Sequence, residues 1–157
     1  MSGGRIHLTR EGYEKIRNEH EELIRRRKDI AKDIERARAF GDLRENAEYD
    51  AAKNAQAMNE KRICELSDTL SRASILDEEG MDKDKILLGA TATLFDEEMD
   101  EEIRYTFVSA EEADFEANKI SIASPIGRTL LGHKVGDVVE VQVPAGVLRY
   151  VVRQIER

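Results

Sequence analysis

The chain has 157 residues, of which 40% are hydrophobic and 37% charged, with four Tyr, four Phe and no Trp. That length suits one or two small domains, and so much charge with so few aromatics argues against a single compact globule. The formal charge of −8 is uneven: residues 1–78 hold 16 Lys and Arg against 17 Asp and Glu, and residues 79–157 hold 9 against 16. An acidic chain lacks the phosphate attraction on which non-specific DNA binding rests, so any nucleic acid is expected to be touched locally, with a protein partner holding the rest.

Cys64 is the single cysteine, which rules out an internal disulfide and predicts a reducing, cytoplasmic setting. Its expected role is packing on the side of a helix. "MSGGRIHLTREGYEK" has no apolar run that would make a signal peptide. No apolar stretch approaches ~18 residues, so no membrane span is expected.

From Tyr13 the sequence carries a 3-4 spaced stripe: Tyr13, Ile16, His20, Leu23, Arg27, Ile30, Ile34 and Ala37. The spacing resumes after "FGD" at Tyr49, Ala52, Gln56, Asn59, Ile63, Leu66, Leu70 and Ala73. Sustained 3-4 spacing is a coiled-coil seam pattern, and the short break predicts two antiparallel helices. Arg27, Gln56 and Asn59 are poor seam residues and predict a partly wet seam, with the Arg27 stem lying along it.

Residues 1–76 are therefore assigned to a helical hairpin and residues 77–84, within the acidic, aperiodic "LDEEGMDKDK", to a linker. Residues 85–157 read as a small β-rich domain. Its β-branched and aromatic runs "ILLGATATLF", "EIRYTFVS", "KISIAS", "DVVEVQV" and "LRYVVRQI" predict strands of a largely antiparallel sheet. "VPAGVLRY" reads as the hairpin joining the last two, and "DEEMDEE" as a solvated loop. "EEADFEAN" and "SPIGRTLLG" each predict a helical turn or two, the second with Ser124 before Pro125 at the first helical position. The fold class is thus α+β.

No metalloprotease, phosphate-loop, dithiol or serine-hydrolase motif is present, and His7, His20 and His133 are too scattered for a metal cluster. The break "FGDLRENAEYDAAK" is more informative. Gly41 suits the end of the first helix, while Asp42 with Glu45 three residues on reads as a capping box for the second. The same two carboxylates, at the apex of a hairpin, also read as half of a metal site. Mg²⁺ takes about six oxygens, so a partner would supply the rest. Both readings stand on the residues alone.

"IERARAFGDLRENAEYDAAKNAQ" and "ISIASPIGRTLLGHKVGDVVEVQVPAG" resemble the tip and the carboxy-terminal domain of the bacterial Gre transcript-cleavage factors, the GreA branch above all. The resemblance runs through nearly the whole chain. It implies an antiparallel coiled coil followed by an FKBP-like domain, a monomer that binds RNA polymerase at its secondary channel. It also implies that Asp42 and Glu45 share a Mg²⁺ with polymerase, which then hydrolyses backtracked RNA near its 3′ end; the protein is not itself an enzyme and binds no cofactor alone. Arg38, Arg44 and Lys53 match a basic patch near the RNA, although a solvated helix face accounts for them equally. Lys53 stands where the family commonly has Arg and lacks its bidentate fork. Ser121, Ser124 and Pro125 match a segment linked to polymerase docking. No prolyl isomerase activity is expected, and a channel-binding regulator without cleavage activity is the alternative.

Overall fold

The computed structural model describes residues 4–40 and 46–157, which divide into two compact units. The first is the hairpin, Tyr13–Arg72. Helix α1 runs Arg10–Arg38 and α2 runs Ala47–Arg72, neither interrupted by proline. Of the α1 stripe, Ile16, Ile30 and Ala37 are buried, and of the α2 stripe Ala52, Asn59, Ile63 and Leu66. Cross-helix bonds fix the antiparallel sense: Arg62 forks onto Glu19 at 2.9 and 3.2 Å, and Arg27 onto Glu60 at 2.7 and 2.9 Å.

Arg27 is exposed rather than lying along the seam, because its long side chain reaches out to Glu60. That fork holds the Glu60 carboxyl below its usual range. Asn59 is 7% exposed and donates its amide to the Leu23 carbonyl at 3.0 Å, while its Oδ1 has no partner. Cys64 is exposed, not packed. The thiol follows Ile63 by one residue, which turns it off the buried stripe.

The second unit joins Ala73–Arg157 to the residues up to Gly12, so the hairpin is shorter at both ends than 1–76. The cause is a strand pair absent from the sequence reading: β1 (Ile6–Leu8) lies parallel to β2 (Ala73–Ile75). Thr9 then caps α1, its hydroxyl accepting from Gly12 N at 3.0 Å. The Glu112 carboxylate accepts from both the backbone N–H and the hydroxyl of Thr9. A Cβ at Gly12 would lie 2.1–2.6 Å from that carboxylate, so a larger residue there would oblige the Glu112 side chain to shift.

The remaining strands are β3 (Thr91–Asp96), β4 (Glu101–Val108), β5 (Lys119–Ser121), β6 (Val138–Val143) and β7 (Gly146–Glu156). They form one sheet in the order β5-β4-β3-β7-β6. All neighbours are antiparallel except β4 and β5, which run parallel, so the sheet is mixed rather than antiparallel throughout. The crossover between them contains 3-10 turns at Ala110–Glu112 and Phe115–Ala117. Alternation puts Ala92, Leu94, Tyr105, Phe107, Val139, Val141, Tyr150 and Val152 on one face, where Leu130 of α3 (Pro125–Leu130) joins the core. Residues 77–84 carry neither helix nor strand.

Candidate functional site

The hairpin end is built from the last turn of α1 and the first turn of α2. Two donors just past α1 close back onto its last turn, Ala39 N on both Glu35 and Arg36 and Phe40 N on Ala37, at 3.2–3.3 Å. The Ala37 carbonyl, which already accepts from Phe40 N, takes the Asn46 side-chain amide on its second lone pair at 2.7 Å. The other half of the same amide, Oδ1, accepts from Tyr49 N at 3.1 Å, which makes Asn46 the N-cap of α2. Asp50 N closes the first helical turn onto the Asn46 carbonyl at 3.1 Å.

The capping box expected from Asp42 and Glu45 is therefore not what starts α2. The helix begins at Ala47, four residues later than a cap at Asp42 would require. Asn ranks with Asp among cap residues, but Tyr49 rather than Glu occupies the third position, so the sequence carried no capping-box signature there. Asp42, Glu45, Arg44 and Gly41, which the sequence suited to the end of the first helix, lie outside the described residues.

The charges around the described ends complement the helix dipoles. Arg36 and Arg38 fall in the last turn of α1, and Glu48 and Asp50 in the first turn of α2. Arg38 is exposed and makes no side-chain bond to another described residue; Lys53 is exposed and donates to Gln56 Oε1 at 3.1 Å. Among the described residues, no group of three or more His, Cys, Asp and Glu is placed to hold a metal ion.

The second candidate surface is in the β-rich unit. Ser124 caps α3: its hydroxyl accepts from Gly127 N at 3.1 Å and donates to the Ser121 carbonyl at 2.6 Å. Ser121 Oγ in turn accepts from Ala123 N at 3.0 Å. Both serines are thus committed to shaping the loop, and Pro125 occupies the first helical position as expected. The loop borders a cavity of about 350 Å³ walled by Tyr105, Phe115, Ile120, Pro125 and Ile126. Phe115 stands 79% exposed at its edge. Ser121, Ser124 and Pro125 all line this cavity, whereas the apolar wall that accompanies them was not anticipated. Phe115 and Ile120 sit in short segments whose facing is decided by the β4–β5 crossover.

Two family models match the chain in order: "Transcription elongation factor, N-terminal" over residues 6–75 and "Transcription elongation factor, GreA/GreB, C-term" over residues 81–157. The chain belongs to the GreA/GreB transcription elongation factor family. Among its relatives, the transcription elongation factor GreA of Trichlorobacter lovleyi is 49% identical over 152 residues, 96% of each chain. That of Thermoanaerobacter pseudethanolicus is 48% identical over 151 residues, again 96% of each. Among solved structures, the GreA factor homolog 1 (Gfh1) protein of Thermus thermophilus is 35% identical, with 98% of this chain and 99% of that one covered and a TM-score of 0.45. The GreA/GreB factor of Nitrosomonas europaea is 23% identical, with 98% and 100% covered and a TM-score of 0.44.

Proposed function

We propose that this GreA-type elongation factor binds RNA polymerase, inserts its hairpin end into the secondary channel and stimulates the polymerase's own cleavage of backtracked RNA. Family membership supports the general role. One observation carries the finer assignment. Asn46 fills the cap of α2, so the structural duty that local physics gives to Asp42 and Glu45 is already discharged by another residue.

Asp42 and Glu45 are then the residues to share a Mg²⁺ with polymerase, since two carboxylates leave most of the ion's coordination to a partner. An ion held there would supply activation of water and stabilisation of charge on the phosphate being cleaved. The chain's own part is to present the two carboxylates and, through Arg38, Arg44 and Lys53, positive charge toward the RNA. The apolar cavity beside Pro125 and Phe115 serves as the docking surface for polymerase, with the 121–127 loop shaping it.

The test mixes stalled, backtracked elongation complexes with wild type, Asp42→Asn and Glu45→Gln. Strong loss of short 3′ RNA release by both variants, with polymerase binding retained, is the expected outcome. Cleavage at the wild-type rate would remove the acidic pair from the chemistry. A wild type that binds without stimulating cleavage would make the protein a channel-binding regulator.

A further inference from the structure

We infer that Asn46 is a positioning residue for the cleavage reaction, one that clamps the end of α1 to the start of α2 and so fixes the two anchor points of the acidic segment. This rests on the function proposed above. A single side chain bonds both helices: Nδ2–H donates to the Ala37 carbonyl at 2.7 Å and Oδ1 accepts from Tyr49 N at 3.1 Å. The two bonds use opposite ends of the amide, so only a side chain that both donates and accepts in this geometry makes the clamp.

The partners are a late carbonyl of α1, which also accepts from Phe40 N at 3.2 Å, and an early N–H of α2 that the helix itself leaves without a partner. The ion pairs that lace the hairpin, Arg27 with Glu60 and Arg62 with Glu19, involve residues at least ten positions before Ala37 and at least fourteen after Asn46. Ala37 and Ala52 are the buried seam residues nearest the end, and their short side chains interdigitate little. Among the described residues, the Asn46 amide is the side chain seen to hydrogen-bond the end of one helix to the start of the next.

The clamp and the cap are separable by mutation. Ser is as good a cap as Asn, but from position 46 its short hydroxyl cannot serve Tyr49 N and reach the Ala37 carbonyl together. Asn46→Ser thus keeps the helix start and breaks the clamp, whereas Asn46→Ala loses both. Each variant and wild type is given to backtracked complexes over a range of Mg²⁺ concentrations, with polymerase affinity measured in parallel. Asn46→Ser is expected to release RNA roughly five- to tenfold more slowly at limiting Mg²⁺, about the population shift that one intramolecular hydrogen bond controls. Its affinity for polymerase should be unchanged, its Mg²⁺ requirement raised, and Asn46→Ala should resemble it.

Asn46→Ser cleaving like wild type while Asn46→Ala fails would reduce the residue to a cap and overturn the inference. So would a cleavage loss matched by an equal loss of polymerase affinity, with the Mg²⁺ dependence unmoved. Wild type that stimulates no cleavage fails the functional reading itself, which the same assay separates from failure of the clamp.

Discussion

Substituting Gly127 by Ala tests the proposed docking loop most sharply, because two effects of opposite sign meet at one methyl group. Gly127 is inside α3, where Ala is ordinarily the better residue by about 1 kcal/mol. Here the added Cβ would stand 2.0 Å from the Ser121 carbonyl oxygen, 2.9 Å from its carbon and 3.0 Å from Ile122 Cα. These are backbone atoms and cannot swing aside as a flexible side chain would. Relief requires the loop to open by more than an ångström or so, beyond the reach of a hydrogen bond.

Three bonds close the loop: Ser124 N and Ser124 Oγ on the Ser121 carbonyl, at 3.0 and 2.6 Å, and Gly127 N on Ser124 Oγ, at 3.1 Å. At about 1 kcal/mol each, their loss outweighs the gain in helix propensity by roughly 2 kcal/mol. For a domain of this size that lowers Tm by roughly 10 °C. Thermal unfolding followed by near-UV circular dichroism reads the effect, since Tyr105 and Tyr150 lie in the core of this unit. Polymerase affinity should fall with it, because Ser121, Ser124 and Pro125 border the cavity. A Gly127→Ala protein as stable as wild type would refute the close approach, and with it the reason these serines are held where they are.

Two further outcomes follow from buried polar groups. Asn59→Leu keeps the same heavy-atom skeleton while replacing an amide whose Oδ1 is buried without a partner; it should stabilise the hairpin by about 1 kcal/mol or more against denaturant, read by helical circular dichroism. Destabilisation instead would show that the seam depends on the bond to the Leu23 carbonyl. In the β-rich unit, burial first, then the neighbouring Tyr105 and Asp96, push the Tyr150 phenol up to about 12, whereas an unfolded tyrosine ionises near 10. The folded state favours the neutral phenol, so its stabilisation is complete below about pH 10 and is lost as pH rises through about 12. Spectrophotometric titration should find Tyr150 ionising together with unfolding; ionisation near pH 10 in an intact domain would contradict its burial.

Most of the fold was legible because its elements are long enough to show a period. The 3-4 stripe identifies the hairpin, and the alternation of "DVVEVQV" and "LRYVVRQI" gives β6 and β7. Strands β1 and β2 escaped because three residues are too few to reveal alternation, and their pairing joins positions near 7 and 74. The parallel sense of β4 and β5 was equally hidden, since strand direction within a sheet is a tertiary choice rather than a local one. Arg27 fell on the stripe by spacing, yet a partner on the other helix drew it to the surface. At the candidate site, the acidic pair stood out through its motif, while the true start of α2 did not.

The misplaced cap changes the account of the four carboxylates between residues 42 and 50. A helix start has two electrostatic needs: an acceptor for its free N–H groups and negative charge in its first turn. Asn46 supplies the first, and Glu48 with Asp50 supplies the second. Among the described residues both needs of α2 are met without Asp42 or Glu45. Removing either carboxylate should therefore leave stability nearly untouched, whereas Asn46→Ala should cost about 1 kcal/mol for the lost cap. Melting curves on the variants already needed for the cleavage assay make the comparison. An Asp42→Asn or Glu45→Gln protein destabilised as much as Asn46→Ala would return the acidic pair to a structural role.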